Sequence, residues 1–372
     1  MKIGIDITQA QYQGTGVGTY TLSLVKALLD LDFNNYYLLF GGSLRGFGNL
    51  KKIATTLPAP EKKLYPLPPL ALDLIFNRLH SVPIETFTGY LDIFHASDWT
   101  HPPTTNAKTV TTVHDLTTIK FPQNQHPKNI ATHQRRLHWA VREAAAIITD
   151  SQATKRDLIE LFPQSEPRIT TIYLAPRDGV TAFARLSHPQ KHRRIDQIKT
   201  KYHLHNEYIL SLGTNEPRKN LLRTVKAYTQ SDLVEDLVIA GRFGWGSKVK
   251  PAPSIKVLGL VGDQDLPALI AGASCFVYPS LYEGFGLPVL EAMALGVPTV
   301  TTNQGSLKEI AGQAAVSVDP YHTASITAGI KKALLNPKLY QDEGLKQARK
   351  FSWPQTAAQT LAIYEQVYQT AN

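Results

Sequence analysis

The sequence predicts an α/β protein made of two Rossmann-like, doubly wound parallel-sheet domains, one in each half of the chain. Three observations carry this. Short apolar runs of strand character alternate with helical stretches up to about residue 173, and the same alternation restarts at Tyr208. Between them, prolines at 176 and 189 and a dense basic stretch break the pattern. A length of 372 residues suits two domains of ordinary size. The expected boundaries are 1–180 and 205–352, with a linker at 181–204. Ligands of such sheets lie outside the C-terminal strand ends, so the two domains are expected to face each other across a cleft.

In the first half, Lys2–Thr8 reads as a strand, followed by GTGVGTY from Gly14 to Tyr20 and a helix through Leu31. Glycines 14, 16 and 18 miss the dinucleotide spacing G-x-G-x-x-G, yet they would let the backbone approach a ligand closely. Further strands are expected at Tyr36–Phe40, Asp92–Ala96, Thr109–Val113, Ala146–Thr149 and Ile169–Tyr173. Helices are expected around Leu70–His80, Ile130–Ala145 and Thr154–Phe162, the last with Ser151 as its N-cap. The proline-rich stretch Leu57–Pro69 reads as a connection without an element.

In the second half, strands are expected at Tyr208–Leu212, Leu237–Ala240, Ile255–Val261, Cys275–Tyr278, Thr299–Thr302 and Ala315–Val318. A helix Leu266–Ala273 has Asp265 as a possible N-cap, and Ser306-Leu307-Lys308-Glu309 fits a capping box. Asp263 and Asp265 form a D-x-D that flanks this helix start, so they are read as caps and no metal site is assigned.

Composition narrows the function classes. Apolar content of 43% supports a sizeable core in each half. The single cysteine, Cys275, lies in an expected strand, which excludes a disulfide framework and fits a reducing compartment. The start MKIGIDITQ has no secretory apolar core, and no run reaches the roughly 20 apolar residues of a membrane span. A soluble, cytoplasmic protein is expected. The net charge of +9 comes partly from Arg135, Arg136 and Arg142 and from Lys191, Arg193, Arg194, Lys199 and Lys201. Solvated helix faces account for both clusters; the sharper reading is peripheral contact with anionic lipid at the inner face of a membrane, or with an anionic acceptor. Nucleic acid is disfavoured, because no aromatic-interleaved basic motif is present.

The most informative stretch is YPSLYEGFGLPVLEAMALGVP, Tyr278 to Pro298. Gly284 and Gly286 bracket a loop, Pro288 suits the first turn of a helix, and Gly296 and Pro298 end it. The helix is apolar except for Glu291, placed in the first turn where the dipole favours negative charge. Amides of Phe285, Gly286 and Leu287 at this helix start would suit phosphate, while Glu283 and Glu291 suit hydroxyl groups. Phosphate and hydroxyls together are what a nucleotide sugar presents, although a plain strand-to-helix turn would also use these glycines.

The first strand of the second half ends in GTNEPRKNLLRTV, where Arg218 and Lys219 stand just before a helix. Adjacent cations at a strand's C-terminal end suit a diphosphate, the Arg as a fork and the Lys as a point charge. In the first half, His114 and Asp115 close the strand in TVTTVHDL at the edge where ligands sit, or merely cap it.

The E-x7-E of EGFGLPVLE, the EPRKN turn and the closing FSWPQTAAQTLAIYEQVY resemble the retaining GT-B glycosyltransferases, in particular glycosyltransferase family 4. The resemblance implies a first domain on the acceptor side, a second domain holding the nucleotide sugar, and a C-terminal helix within 353–372 that packs back on the first domain. It implies that Glu283 contacts donor-sugar hydroxyls, that Phe285, Gly286 and Leu287 offer amides, and that Glu291 holds the ribose. Arg218 and Lys219 would neutralise the diphosphate, Gly16 would close over it, Val261 would line the nucleotide site, and His114 with Asp115 would lie on the acceptor side beside the transferred sugar. Some relatives carry an arginine at the position of Thr214, so the phosphate contacts rest here on Arg218 and Lys219.

The expected activity is hexosyl transfer with retention, mannose from GDP-mannose being the nearest analogy of EPRKN, to a glycan or lipid-linked acceptor. No metal and no cofactor beyond the nucleotide-sugar co-substrate are expected. A sugar-nucleotide epimerase of the same architecture and a non-enzymatic regulator that binds nucleotide sugar are the alternatives. Hydrolysis by a glycosidase-like carboxylate pair is disfavoured, because phosphate-binding elements surround the glutamates.

Overall fold

The computed structural model describes residues 1–12, 14–125 and 127–370 and divides into two compact units. Unit 1 comprises Met1–Leu174 together with the chain from Ser352 onward, and unit 2 comprises Ala175–Phe351.

Unit 1 is built on a seven-stranded parallel sheet: β1 Lys2–Asp6, β2 Tyr36–Gly42, β3 Glu61–Tyr65, β4 Ile93–Ala96, β5 Lys108–Val113, β6 Ala146–Thr149 and β7 Ile169–Thr171. The strand order is β3-β2-β1-β4-β5-β6-β7. Unit 2 carries six parallel strands, β8 Tyr208–Leu212, β9 Asp236–Ala240, β10 Ile255–Gly259, β11 Cys275–Tyr278, β12 Thr299–Thr302 and β13 Val316–Val318, in the order β10-β9-β8-β11-β12-β13. The central strands are buried along almost their whole length, which explains why they read as continuous apolar runs. In each sheet the direction of winding reverses once, between β1 and β4 and between β8 and β11. Such a reversal opens a crevice at the C-terminal strand ends.

The helix Trp353–Gln369 belongs to unit 1, where it packs on the helix Gly16–Leu31 and on β5. Ser352 caps it, Thr356 donates to the Tyr173 carbonyl at 2.7 Å, and the buried Tyr364 hydroxyl meets His95 Nδ1 at 2.6 Å. Positions 371 and 372 of the expected closing helix lie outside the described residues.

Several expectations are corrected. The stretch Leu57–Pro69 contains the edge strand β3, whose Glu-Lys-Lys-Leu-Tyr lacks alternation and takes its order from the parallel ladder with β2. The expected linker 181–204 is mostly helical: Asp178–Ala184 and His188–Lys201 both lie in unit 2 and pack on the helix Leu266–Ala271. Proline fits there because Pro189 sits at a helix start. The helix expected at Leu70–His80 is a short α-turn, Pro69–Leu72, continued by a π-helical segment Asp73–Arg78.

Ser306 forms no capping box, since its helix Gly305–Ala311 starts earlier, with Gln304 as N-cap. Asp265 does occupy the N-cap position of Leu266–Ala271, but its carboxylate accepts from Lys201 and Tyr202 and caps nothing. Arg136 is not part of a solvated face. It is 3% exposed and donates to the Ser97 and Thr112 carbonyls and the Thr111 hydroxyl, and burial pushes its guanidinium down to about 10.

Candidate active site

The crevice of unit 2 holds a compact charge cluster. After β8 the chain makes a tight turn, Pro217–Lys219, that ends at Asn220 in the left-handed conformation (φ +60°). A non-glycine residue there needs fixing from outside. The Asn220 side chain supplies it, donating to the carbonyls of Pro279 at 3.0 Å and Pro320 at 2.6 Å. The turn is thereby locked to the loop after β11, and Leu281 N–H donates to the Arg218 carbonyl at 2.7 Å. Arg218 and Lys219 are thus aimed at the glutamate loop.

Glu283, 9% exposed, receives Lys219 Nζ on both oxygens, at 2.7 and 2.9 Å. Arg218 Nη1 donates to Glu283 Oε2 at 2.8 Å, and Ser280 Oγ to Oε1 at 2.6 Å. Tyr278 Oη accepts from Lys219 at 2.5 Å and donates to Glu283 at 3.0 Å. Arg218 Nε donates to Glu216 at 2.8 Å, so two cations face two carboxylates. Burial pushes the Glu283 carboxyl up, but the Arg218 and Lys219 charges outweigh it and hold it at about 2. Burial, with Arg218 alongside, pulls the Lys219 ammonium down against the pull of Glu283. Burial and the Glu283 charge push the Tyr278 phenol well above its ordinary value. Ser306, read from sequence as a cap, instead donates to the Glu283 carbonyl at 2.7 Å.

The chain then enters the helix Leu287–Ala294 through Gly286, at φ +108°. A Cβ there would lie 2.6 Å from Leu307 Cδ2, so glycine is required both by conformation and by space. Among the described residues, nothing accepts from the Gly286 and Leu287 N–H groups at this helix start. Phe285 is buried, with its ring edge-to-face with Phe351. Val261 is buried two residues beyond β10, which ends at Gly259 and not at Val261 as expected.

Glu291 lies past the first turn of its helix, so the helix dipole is not its main partner. It is fully buried, and Arg177 Nε donates to its Oε1 at 2.6 Å while Arg177 Nη1 reaches Asp263 at 3.1 Å. Burial lowers the Arg177 pKa, but the Glu291 and Asp263 carboxylates outweigh that and raise it. Glu291 Oε2 is buried and has no hydrogen-bond partner among the described residues. A buried carboxylate oxygen left in that state is costly, and a ligand hydroxyl would satisfy it.

In unit 1, Gly16 is exposed as the first residue of Gly16–Leu31, whose N-cap Thr15 accepts from Gly18 N–H at 3.1 Å. His114 follows β5 directly. Its Nδ1 lies 2.6 Å from Asp150 Oδ2, and the Tyr20 ring packs against it edge-on, 4.6 Å between centroids. Asp115 accepts from Thr117 N–H at 2.8 Å, at the start of the short helix Thr117–Lys120. Beneath them a buried chain runs from Tyr20 through Thr112 to His95 and Tyr364. Burial pulls the His95 imidazole down to about 3, so it stays neutral.

Sequence reasoning missed Arg177, Glu216, Tyr278, Ser280 and Asp150. A usable signal existed for two of them: Tyr278 ends a strand and Asp150 directly follows one, both at the sheet edge where ligands sit.

Two parallel-sheet α/β domains with these sites define the GT-B class, and comparisons with known proteins agree. The chain superposes on sucrose-phosphate synthase from Thermosynechococcus elongatus with a TM-score of 0.73 at 16% identity, covering 100% of both chains. HepE of Anabaena, solved in complex with UDP and glucose, gives 0.68 at 16% identity, covering 100% of this chain and 99% of that one. Residues 14–175 match Glycosyltransferase Family 4, and residues 193–350 match Glycosyl transferases group 1. O-antigen chain mannosyltransferase B of Escherichia coli is 31% identical over 98% of this chain and 100% of its own length. A serotype-specific mannosyltransferase, WbdA of Escherichia coli, is 32% identical over 61% of this chain and 29% of its own length. The protein belongs to the GT-B glycosyltransferases of family 4.

Proposed function

We propose that this glycosyltransferase moves mannose from GDP-mannose to a hydroxyl of a growing glycan or lipid-linked acceptor, with retention of configuration and without a metal ion. The observation that carries the reading is the cluster of Arg218, Lys219 and Glu283 beside the helix start at Gly286. Mannose as the sugar is supported by the names of the relatives, O-antigen chain mannosyltransferase B and serotype-specific mannosyltransferase.

The donor diphosphate takes Arg218 and Lys219 as its counter-ions, together with the Gly286 and Leu287 amides. Glu283, released from those cations, turns its carboxylate to the sugar hydroxyls. Glu291, oriented by Arg177, offers its open oxygen to the ribose. The bond from the anomeric carbon to the β-phosphate oxygen breaks, and the acceptor oxygen attacks from the same face. The acceptor proton passes to the leaving phosphate oxygen, and a nucleoside diphosphate departs. Charge grows on that oxygen in the transition state, where fixed cations and amides stabilise it without a metal.

No helix among the described residues is long and apolar enough to cross a membrane. The proposed setting is the cytoplasm, with peripheral contact at the inner membrane face where a lipid-linked acceptor would be met.

The test is nucleoside diphosphate release from GDP-mannose and from competing UDP- and ADP-sugars, with and without mannosyl acceptors, and proton NMR of the product. Release from GDP-mannose that depends on acceptor, with an α-linked product, is expected. Preference for another donor overturns the donor assignment, and a β-linked product overturns retention. Conversion of donor without acceptor favours the epimerase.

A further inference from the structure

We propose that Asp150 is a positioning residue for transfer: it holds the His114 imidazole through Nδ1, so that Nε2 is the ring nitrogen presented to the substrate sugar. This rests on the proposed placement of His114 beside the transferred sugar.

The arrangement follows from strand register. Val113 at the end of β5 pairs with Thr149 at the end of β6, so the next residue of each strand, His114 and Asp150, emerge side by side at the sheet edge. Both strand ends are fixed. Ser151 accepts from Thr154 N–H as N-cap of Gln152–Leu161, and the Thr154 hydroxyl reaches the His114 carbonyl at 3.5 Å. Tyr20 closes the other side of the imidazole, edge-on, and is itself held by Thr112 at 2.8 Å. The ring therefore has one orientation, with Nδ1 on Asp150 at 2.6 Å. Nε2 has no hydrogen-bond partner among the described residues.

A purely structural role does not account for a carboxylate here. Asp150 is 2% exposed, and its Oδ1 is buried without a partner among the described residues. A neutral side chain would accept from Nδ1–H at less desolvation cost. What a carboxylate adds is a strong bias on the imidazole, fixing the proton at Nδ1 and favouring its charged form, as in triads where a buried Asp orients the catalytic His.

The groups that face His114 are Asp150 just beyond β6, Asp98 beyond β4, Arg136 and His133 from Pro127–Glu143, His95 from β4 and Tyr20. Burial pulls the His114 pKa down and Arg136 acts the same way, but the Asp150 charge and hydrogen bond, with Asp98 adding, outweigh both and raise it. Removing the Asp150 charge lowers it. Any limb of the pH–rate profile that reports His114 must then move to lower pH, whichever protonation state is active.

The experiment uses the full chain. In the wild-type protein, nitrogen-15 NMR of labelled histidine is expected to find the neutral form of His114 protonated at Nδ1; protonation at Nε2 overturns the proposal without any variant. Asp150→Asn, checked for cooperative unfolding, is expected to lower kcat by about 10- to 100-fold, with donor KM changed by no more than about 2-fold. Its His114-dependent limb should shift to lower pH, and the double variant with His114→Gln should be no slower than His114→Gln alone. An unshifted profile, or additive losses in the double variant, overturns the positioning role while leaving the transfer reading intact. If His114→Gln transfers at the wild-type rate, the proposal falls with the placement of His114 on which it rests.

Discussion

Arg177 donates through Nε to Glu291 at 2.6 Å, and this ion pair, joining residues 114 positions apart, neutralises the one charge in an otherwise apolar helix. The Glu291 carboxylate is fully buried, so its charge is tolerated only with that partner. Arg177→Met is therefore expected to destabilise the protein by about 3–5 kcal/mol, because it strands a buried charge. Urea unfolding checks this. Glu291→Gln combined with Arg177→Met should recover part of the loss, and a double variant no more stable than Arg177→Met removes the pairing argument.

The two glutamates should separate in binding and turnover. Glu283 pairs with Arg218 and Lys219 in the free protein, so Glu283→Gln removes a negative charge that competes with phosphate for both cations. Its affinity for free nucleoside diphosphate should hold or rise while kcat falls strongly, the pattern of a contact made in the transition state. Glu291→Gln should instead weaken nucleoside diphosphate binding by about 1–3 kcal/mol. Titration calorimetry beside steady-state kinetics decides, and the reverse pattern would exchange the two roles.

Acid should unpick the same cluster. The Glu283 carboxyl titrates at about 2 in the folded protein, below the ordinary glutamate value of 4.5. A depressed carboxylate contributes stability that is complete above its unfolded pKa and is lost as pH falls through the folded one. Between about pH 4.5 and 2, wild-type unfolding free energy should drop more steeply than that of Glu283→Gln. Parallel curves for the two proteins would contradict the pairing.

Gly286→Ala tests the loop itself. At φ +108° and with Leu307 2.6 Å from the added carbon, alanine must strain the backbone and displace a buried leucine. A loss of about 1–3 kcal/mol is expected, with donor binding weakened, because the amides at the helix start lose their aim. Thermal melting with and without nucleoside diphosphate reports both effects.

Metal independence is the fifth expectation. Arg218 and Lys219 already supply two positive charges at the proposed diphosphate site. Transfer should continue unchanged in EDTA. Loss of activity that magnesium or manganese restores would show that the cations do not suffice.

The alternation of buried strands and helices is legible in the sequence, because parallel strands covered on both faces must be apolar along their length. The sequence also marked both halves of the charge cluster in unit 2. Arg218-Lys219 and Glu283 sit in short loops whose proline and glycine punctuation is local and so is written in the chain itself. Nothing local marked β3, whose Glu-Lys-Lys-Leu-Tyr becomes a strand only through its ladder with β2.

Which residues pair is set by the tertiary structure. Lys219 and Glu283 are 64 residues apart, and Arg177 lies just ahead of the stretch that composition marks as a linker. Asp150 reaches His114 because β5 and β6 are adjacent and in register, a relation between two strands that neither strand's own residues encode. Burial works in the same way. Arg136 is spelled like its solvated neighbours, yet it is enclosed because its face of the helix meets the ends of β4 and β5. A charge's local spelling gives its sign, while its partner, its desolvation and hence its chemistry come from what the fold packs against it.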